Sequence, residues 1–168
     1  MQNYGAREMA SSWRTVRKNT IQIAEDIPAD QYGFRATPDT MSVGQILAHL
    51  AASTHWAEQV HFVEKMHAVE GADFGRLMGA AAAMAAELTA KATIVDALIA
   101  HGESFAMQLE ALTGTQLDEP VTLPNATKSR FEMLLGVKEH EMHHRAQLMV
   151  MERLLGIVPH LTRARMQR

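Results

Sequence analysis

Residues 129–155 read SRFEMLLGVKEHEMHHRAQLMVMERLL, and the reading of the fold turns on them. Ser129 and Glu132 stand at the spacing of a capping box, in which each side chain satisfies an orphan backbone N–H at a helix start. Gly156 follows the stretch and suits a left-handed cap, and Pro159 blocks continuation. No proline intervenes. The pattern predicts one long helix ending near Leu155. Its stripe of Met133, Val137, His140, His144, Gln147 and Met151 should face the core.

Three further helices follow from the same periodicity. Met9, Trp13, Val16, Thr20, Ile23 and Ile27 recur at three- and four-residue spacing, which predicts a helix over residues 6–27 that Pro28 ends. Residues 28–41 are rich in turn-forming types and predict a long loop. Ser42 with Gln45 is a second capping box, opening a helix to about residue 69 that Gly71 stops. Ile94, Leu98, His101, Phe105, Leu109 and Leu112 mark another helix over residues 93–112, with Gly114 just past its end. Residues 115–128 carry two prolines and predict a connecting loop. Residues 73–90 are helix-prone but poorly periodic, open to a loop or to an early start of the next helix. Four amphipathic segments without a convincing strand predict an all-α, up-down four-helix bundle, one domain over residues 1–168.

Composition narrows the function classes. Apolar residues make up 47% of the chain and charged residues 21%, which excludes a disordered chain. Alanine and the 12 methionines favour helices and an adaptable core. A net charge of −3 supplies no basic footprint for nucleic acid. The three arginines within residues 162–168 read as a solvated tail. No cysteine is present, so disulfides, thiolate ligands and cysteine nucleophiles are excluded. No apolar run approaches membrane-spanning length and no signal-peptide layout opens the chain, so a cytoplasmic protein with no membrane partner is expected.

Position separates the nine histidines. His140 and His144 lie four residues apart, about 400° of helical rotation, which stacks both imidazoles on one face. A single helix offers two nitrogens to one metal in this way. Taken alone, such a pair is more often a polar patch. His49 shifts the balance, because it shares a stripe with Ile46, Ser53, Trp56 and Val60 and also faces inward. Bundles build metal sites from inward residues of facing helices. His101, on the apolar face of its helix, is the candidate fourth ligand. His143 points about 100° away from His144 and should not share the ion. His55, His61 and His67 fall at six-residue intervals and read as surface or edge residues, and His160 as solvated. Gln147 could bond a ligand or its support, and Trp56 could wall a pocket. Glu141 lies on an offset face and could only orient a histidine. No general base stands out.

The block Met41-Ser-Val-Gly-Gln-Ile-Leu-Ala-His-Leu50 is similar to a W-S-x-x-E-I-L-x-H-L pattern. His140-Glu-Met-His-His-Arg-Ala-Gln-Leu148 is similar to H-x-x-x-H-R-G-Q-L. With Phe34-Arg35, Pro38 and the ending Arg153-Leu-Leu-Gly-Ile-Val-Pro159, the chain resembles the DinB/YfiT-like family of metal-dependent helical bundles. Met41 replaces a common Trp and Ala146 a common Gly, and neither change removes a ligand. The resemblance puts the family's three metal-binding histidines on His49, His140 and His144. It implies one divalent ion and a small-molecule substrate, as in S-transferases that use an external low-molecular-weight thiol. A metal-dependent hydrolase and a non-catalytic stress-response protein are the alternatives. Three imidazoles suit zinc or nickel better than iron or manganese. The resemblance and the Ala- and Met-rich stretch over residues 77–88 also suggest a homodimer.

Overall fold

The computed structural model describes residues 4–166. Helix α1 (Ala6–Asp26) buries Met9, Trp13, Val16, Thr20 and Ile23, and Ile27 closes it in an extended conformation. Helix α2 (Val43–Ala52) opens with the expected capping box. Ser42 N–H donates to Gln45 Oε1 at 2.9 Å and Gln45 N–H to Ser42 Oγ at 3.2 Å.

The helix opened by Ser42 does not run on to residue 69. It breaks after Ala52, because the Leu50 carbonyl accepts from Ser53 Oγ at 3.0 Å and from Arg17 Nη2 at 3.1 Å. A side-chain hydroxyl bonded back in this way bends a helix. Helix α3 (His55–Glu58) then widens into a π turn over Gln59–Val63, where Glu64 N–H reaches Gln59 O at 2.8 Å.

Gly71 begins a helix instead of stopping one. Glu70 N–H bonds Asp73 Oδ2 at 3.1 Å, and helix α4 (Gly71–Glu87) occupies the stretch whose periodicity was weak. It packs on α2 and α3, burying Leu77 and Ala81. Helix α5 (Lys91–Glu110) matches the expected segment. Residues 115–128 are not a plain loop: helix α6 (Gly114–Asp118) leads to an antiparallel hairpin, β1 (Pro120–Leu123) with β2 (Ala126–Ser129).

Helix α7 (Arg130–Leu154) starts as read, with Glu132 N–H donating to Ser129 Oγ. The reciprocal half of that box is missing, because the Glu132 carboxylate pairs with Lys128 at 2.9 Å. Gly156, at φ +77°, ends the helix, and Ile157 N–H returns to Glu152 O at 2.8 Å. Helix α8 (His160–Met166) carries part of the arginine tail. Arg163 Nη2 lies 2.6 Å from Asp26 Oδ2 and His160 Nε2 3.1 Å from Asn19 Oδ1, so this segment is tethered to α1, while Arg165 stays exposed to solvent as expected. Arg168 lies outside the described residues.

The long helices pack in the cyclic order α1, α5, α2, α7, which sets α1 diagonally from α2. Two apolar clusters lie between the long helices, one around Ile23, Leu47, Leu98 and Leu148 and one around Trp13, Phe105, Leu109 and Val137, and a third, smaller one gathers Val60, Val69, Leu77, Val121 and Met133. Arg17 and Thr20 on α1 and Glu141 on α7 are buried at the level between the first two. Contact between α1 and α5 is close enough that a Cβ on Gly102 would sit 2.6 Å from Arg17 Cγ, and Trp13 Nε1–H donates to Gly102 O at 2.9 Å. Among the described residues no helix is long and apolar enough to cross a membrane.

Candidate metal centre

His49 on α2 meets His140 and His144 on α7, and the three offer ligand nitrogens that all lie within 4.8 Å of one another. His49 Nε2 and His140 Nε2 are 2.8 Å apart, and the ring centroids stand 4.7–5.0 Å from each other, edge to face. Tetrahedral zinc with Zn–N distances of about 2.0–2.1 Å requires neighbouring nitrogens roughly 3.3 Å apart. The observed spread brackets that figure, so the group can hold a metal ion.

Protonation favours the same use. Burial pushes the pKa of all three rings down, His140 to about 4, and leaves them neutral at pH 7 with lone pairs to donate. His144 Nδ1 lies 2.8 Å from Gln147 Oε1. An amide oxygen can only accept, so Nδ1 carries the proton and Nε2 is the ligand atom. Gln147 Nε2 in turn lies 3.2 Å from His143 Nε2, which places His143 beside the group and outside it.

The surroundings differ from the sequence reading in several respects. His144 is buried, but His140 and Gln147 are exposed, so the stripe runs from the core out to a surface hollow. His49 and His140 line a cavity of about 330 Å³ with Trp56, Phe74, Met78 and Val137, so Trp56 does wall a pocket. His49 also lines a neighbouring hollow of about 610 Å³ with Tyr32, Gln45 and Thr89. His101 is not a fourth member, since its Nδ1 sits 2.9 Å from Ala51 O.

Glu141 is not offset toward solvent. It is fully buried, accepts from Thr20 Oγ1 at 2.8 Å and lies 2.8 Å from Arg17 Nη2. Helix α7 packs on both α1 and α2, so it has two inward faces, and one apolar stripe described only the second. His61 is likewise buried, at 3% exposure, and not at the surface. The bend at Ser53 and the π turn break the regular count along that helix, and no periodicity in the sequence reveals it.

The chain matches the DinB superfamily over residues 12–148. Its fold is similar to the crystal structure of a DinB-like protein, YjoA, from Bacillus subtilis. The two align with a TM-score of 0.68 at 22% identity, over 89% of this chain and 92% of that one. No curated protein matches the chain.

Proposed function

The chain belongs to the DinB superfamily, and from the histidine cluster within that fold we propose that it is a single-domain, metal-dependent enzyme acting on small molecules. One observation carries this reading: three neutral imidazoles converge, and two of them, His49 and His140, line an apolar cavity. One divalent ion per chain, zinc or nickel before iron or manganese, is the fit to an all-nitrogen donor set. Three protein ligands leave at least one position for substrate, as catalytic sites do. A bound ion would supply Lewis acidity and lower the pKa of a coordinating thiol or water.

The chain's own residues do the rest. Gln147 fixes the tautomer of His144, and Trp56, Phe74 and Met78 shield the apolar part of a substrate from water. Glu141 ties the turn that bears His140 to α1. Two hollows meet at His49, which gives room for two reactants and favours group transfer over hydrolysis. With no cysteine in the chain, the thiol of such a transfer is an external low-molecular-weight thiol.

Elemental analysis and calorimetry test the centre. Wild type should bind about one ion per chain, His140→Ala or His144→Ala should abolish tight binding, and His143→Ala should leave it nearly unchanged. Protein that stays metal-free after incubation with zinc and nickel sinks the proposal. Turnover of electrophiles by the loaded protein only when a small thiol is added would support the transferase reading, and thiol-independent hydrolysis would replace it. Cytoplasmic location and a homodimer belong to the same reading. Leu77 and Ala81 are used within the chain, and exposed Ile99 and Met107 on α5 offer apolar surface to a partner. Light scattering at 18.6 kDa would remove the dimer.

A further inference from the structure

Behind the hairpin, away from the histidine cluster, Arg130 at the first turn of α7 is 2% exposed. Its Nε donates to Glu119 Oε2 at 2.8 Å, and Nη2 donates to Met66 O at 2.9 Å. Its Nη1 reaches Val60 O at 3.3 Å and His61 Nδ1 at 3.2 Å. A guanidinium only donates, so His61 Nδ1 must accept, and the ring proton resides on Nε2. That tautomer is imposed by the structure.

The Nε2–H so defined is buried and meets no hydrogen-bond partner. The nearest aromatic rings, Trp56 and Phe62, have centroids 6.2 and 6.4 Å from the imidazole, too distant to serve as π acceptors. Charging the ring does not relieve the donor, because burial and then Arg130 hold the His61 pKa down at about 4. A buried donor without an acceptor is costly and calls for an explanation.

His61 lines a pocket of about 120 Å³ together with Lys65, His67, Gln116, Glu119 and Arg130. Lys65 stands at the rim with φ +50°, a left-handed conformation that a glycine would adopt more cheaply. Its cationic side chain belongs to the pocket lining. Lys65 and Arg130 together outweigh Glu119, so the pocket favours a negative ligand. We propose that this pocket binds a small oxyanion, the carboxylate or phosphate group of a solute, with His61 Nε2–H as the buried donor and Lys65 as the charge at the entrance.

The full-length protein should be titrated with inorganic phosphate and, separately, acetate, with sodium chloride keeping ionic strength constant. Saturable binding by calorimetry and a rise in Tm are expected, and whichever anion binds tighter identifies the group preferred. His61→Phe should lose the saturable phase. Lys65→Gly relieves the backbone, so its Tm should be unchanged or higher, while affinity falls about tenfold for the loss of a charged donor. If His61→Phe fails to fold, Lys65→Gly decides the question. Binding that survives both substitutions is binding elsewhere, the metal centre included, and overturns the proposal. So does the absence of a saturable response to either anion.

Discussion

Arg17 and Arg130 are almost equally buried, at 3% and 2% exposure, and each is held by two backbone carbonyls. Their counter-ions separate them. Glu141, beside Arg17, is fully enclosed, whereas Glu119, beside Arg130, keeps a third of its side chain in solvent. Around Arg17, loss of solvation dominates. It pushes the arginine's pKa down and the Glu141 pKa up, and their mutual attraction opposes both shifts. That pair is a bracket between α1, α2, α5 and α7: Glu141 adjoins His140 in the chain, and Arg17 bonds the carbonyl of Leu50, which adjoins His49. Arg130 instead anchors a pocket that still has a donor to offer. A buried charge enclosed wholly by protein can only position, while one that opens on a cavity can also recognise.

The largest effect should come from breaking the enclosed pair. Arg17→Met leaves Glu141 buried without its cation and should cost about 3–5 kcal/mol in urea denaturation. Adding Glu141→Leu removes the stranded charge and should recover most of that loss. A double variant no more stable than Arg17→Met would mean that the guanidinium acts through packing over Trp13, whose ring it covers at 4.8 Å, and not through Glu141.

His61, on the open side, gives a pH-dependent effect of intermediate size. Its pKa is about 4 in the folded chain and ordinarily 6.5, so between those values the unfolded chain binds the extra proton. Stability from this residue is complete above pH 6.5 and is lost as pH falls toward 4, up to about 3 kcal/mol. His61→Gln keeps an acceptor for Arg130 and does not titrate. Denaturation of metal-free protein at pH 7 and pH 4.5 should show a shallower loss for the variant, and parallel losses would refute the assignment.

How much of this was legible in the sequence follows the same division. The stripe of α1, the Ser42–Gln45 cap and the Gly156 stop are local and periodic, and they could be read directly. The histidine trio could be read because bundle geometry brings inward residues of α2 and α7 together. Arg17 sits four residues after Trp13 on a buried stripe, and that position was the available signal for the enclosed pair. Glu141 lies on the second inward face of α7, which one stripe cannot reveal. The break at Ser53 depends on Arg17, distant in sequence, sharing the Leu50 carbonyl. The hairpin at residues 120–129 is too short for periodicity to register.

Glu119→Gln should give the smallest effect and sharpens the contrast most. Glu119 is held ionised by its bond to Arg130 Nε, yet water already screens much of the pair. A glutamine oxygen can accept from the same Nε, so the bond survives without the charge. Thermal unfolding should therefore shift by about 4 °C or less. Removing a negative charge from the pocket wall should also tighten phosphate binding, since Glu119 opposes Lys65 there. Glu141→Gln, the matching change at the enclosed pair, leaves Arg17 buried without an anion and should shift unfolding further. If Glu119→Gln proved as damaging as Glu141→Gln, solvent access to the counter-ion would not be what separates the two arginines, and the division between positioning and recognition would fall with it.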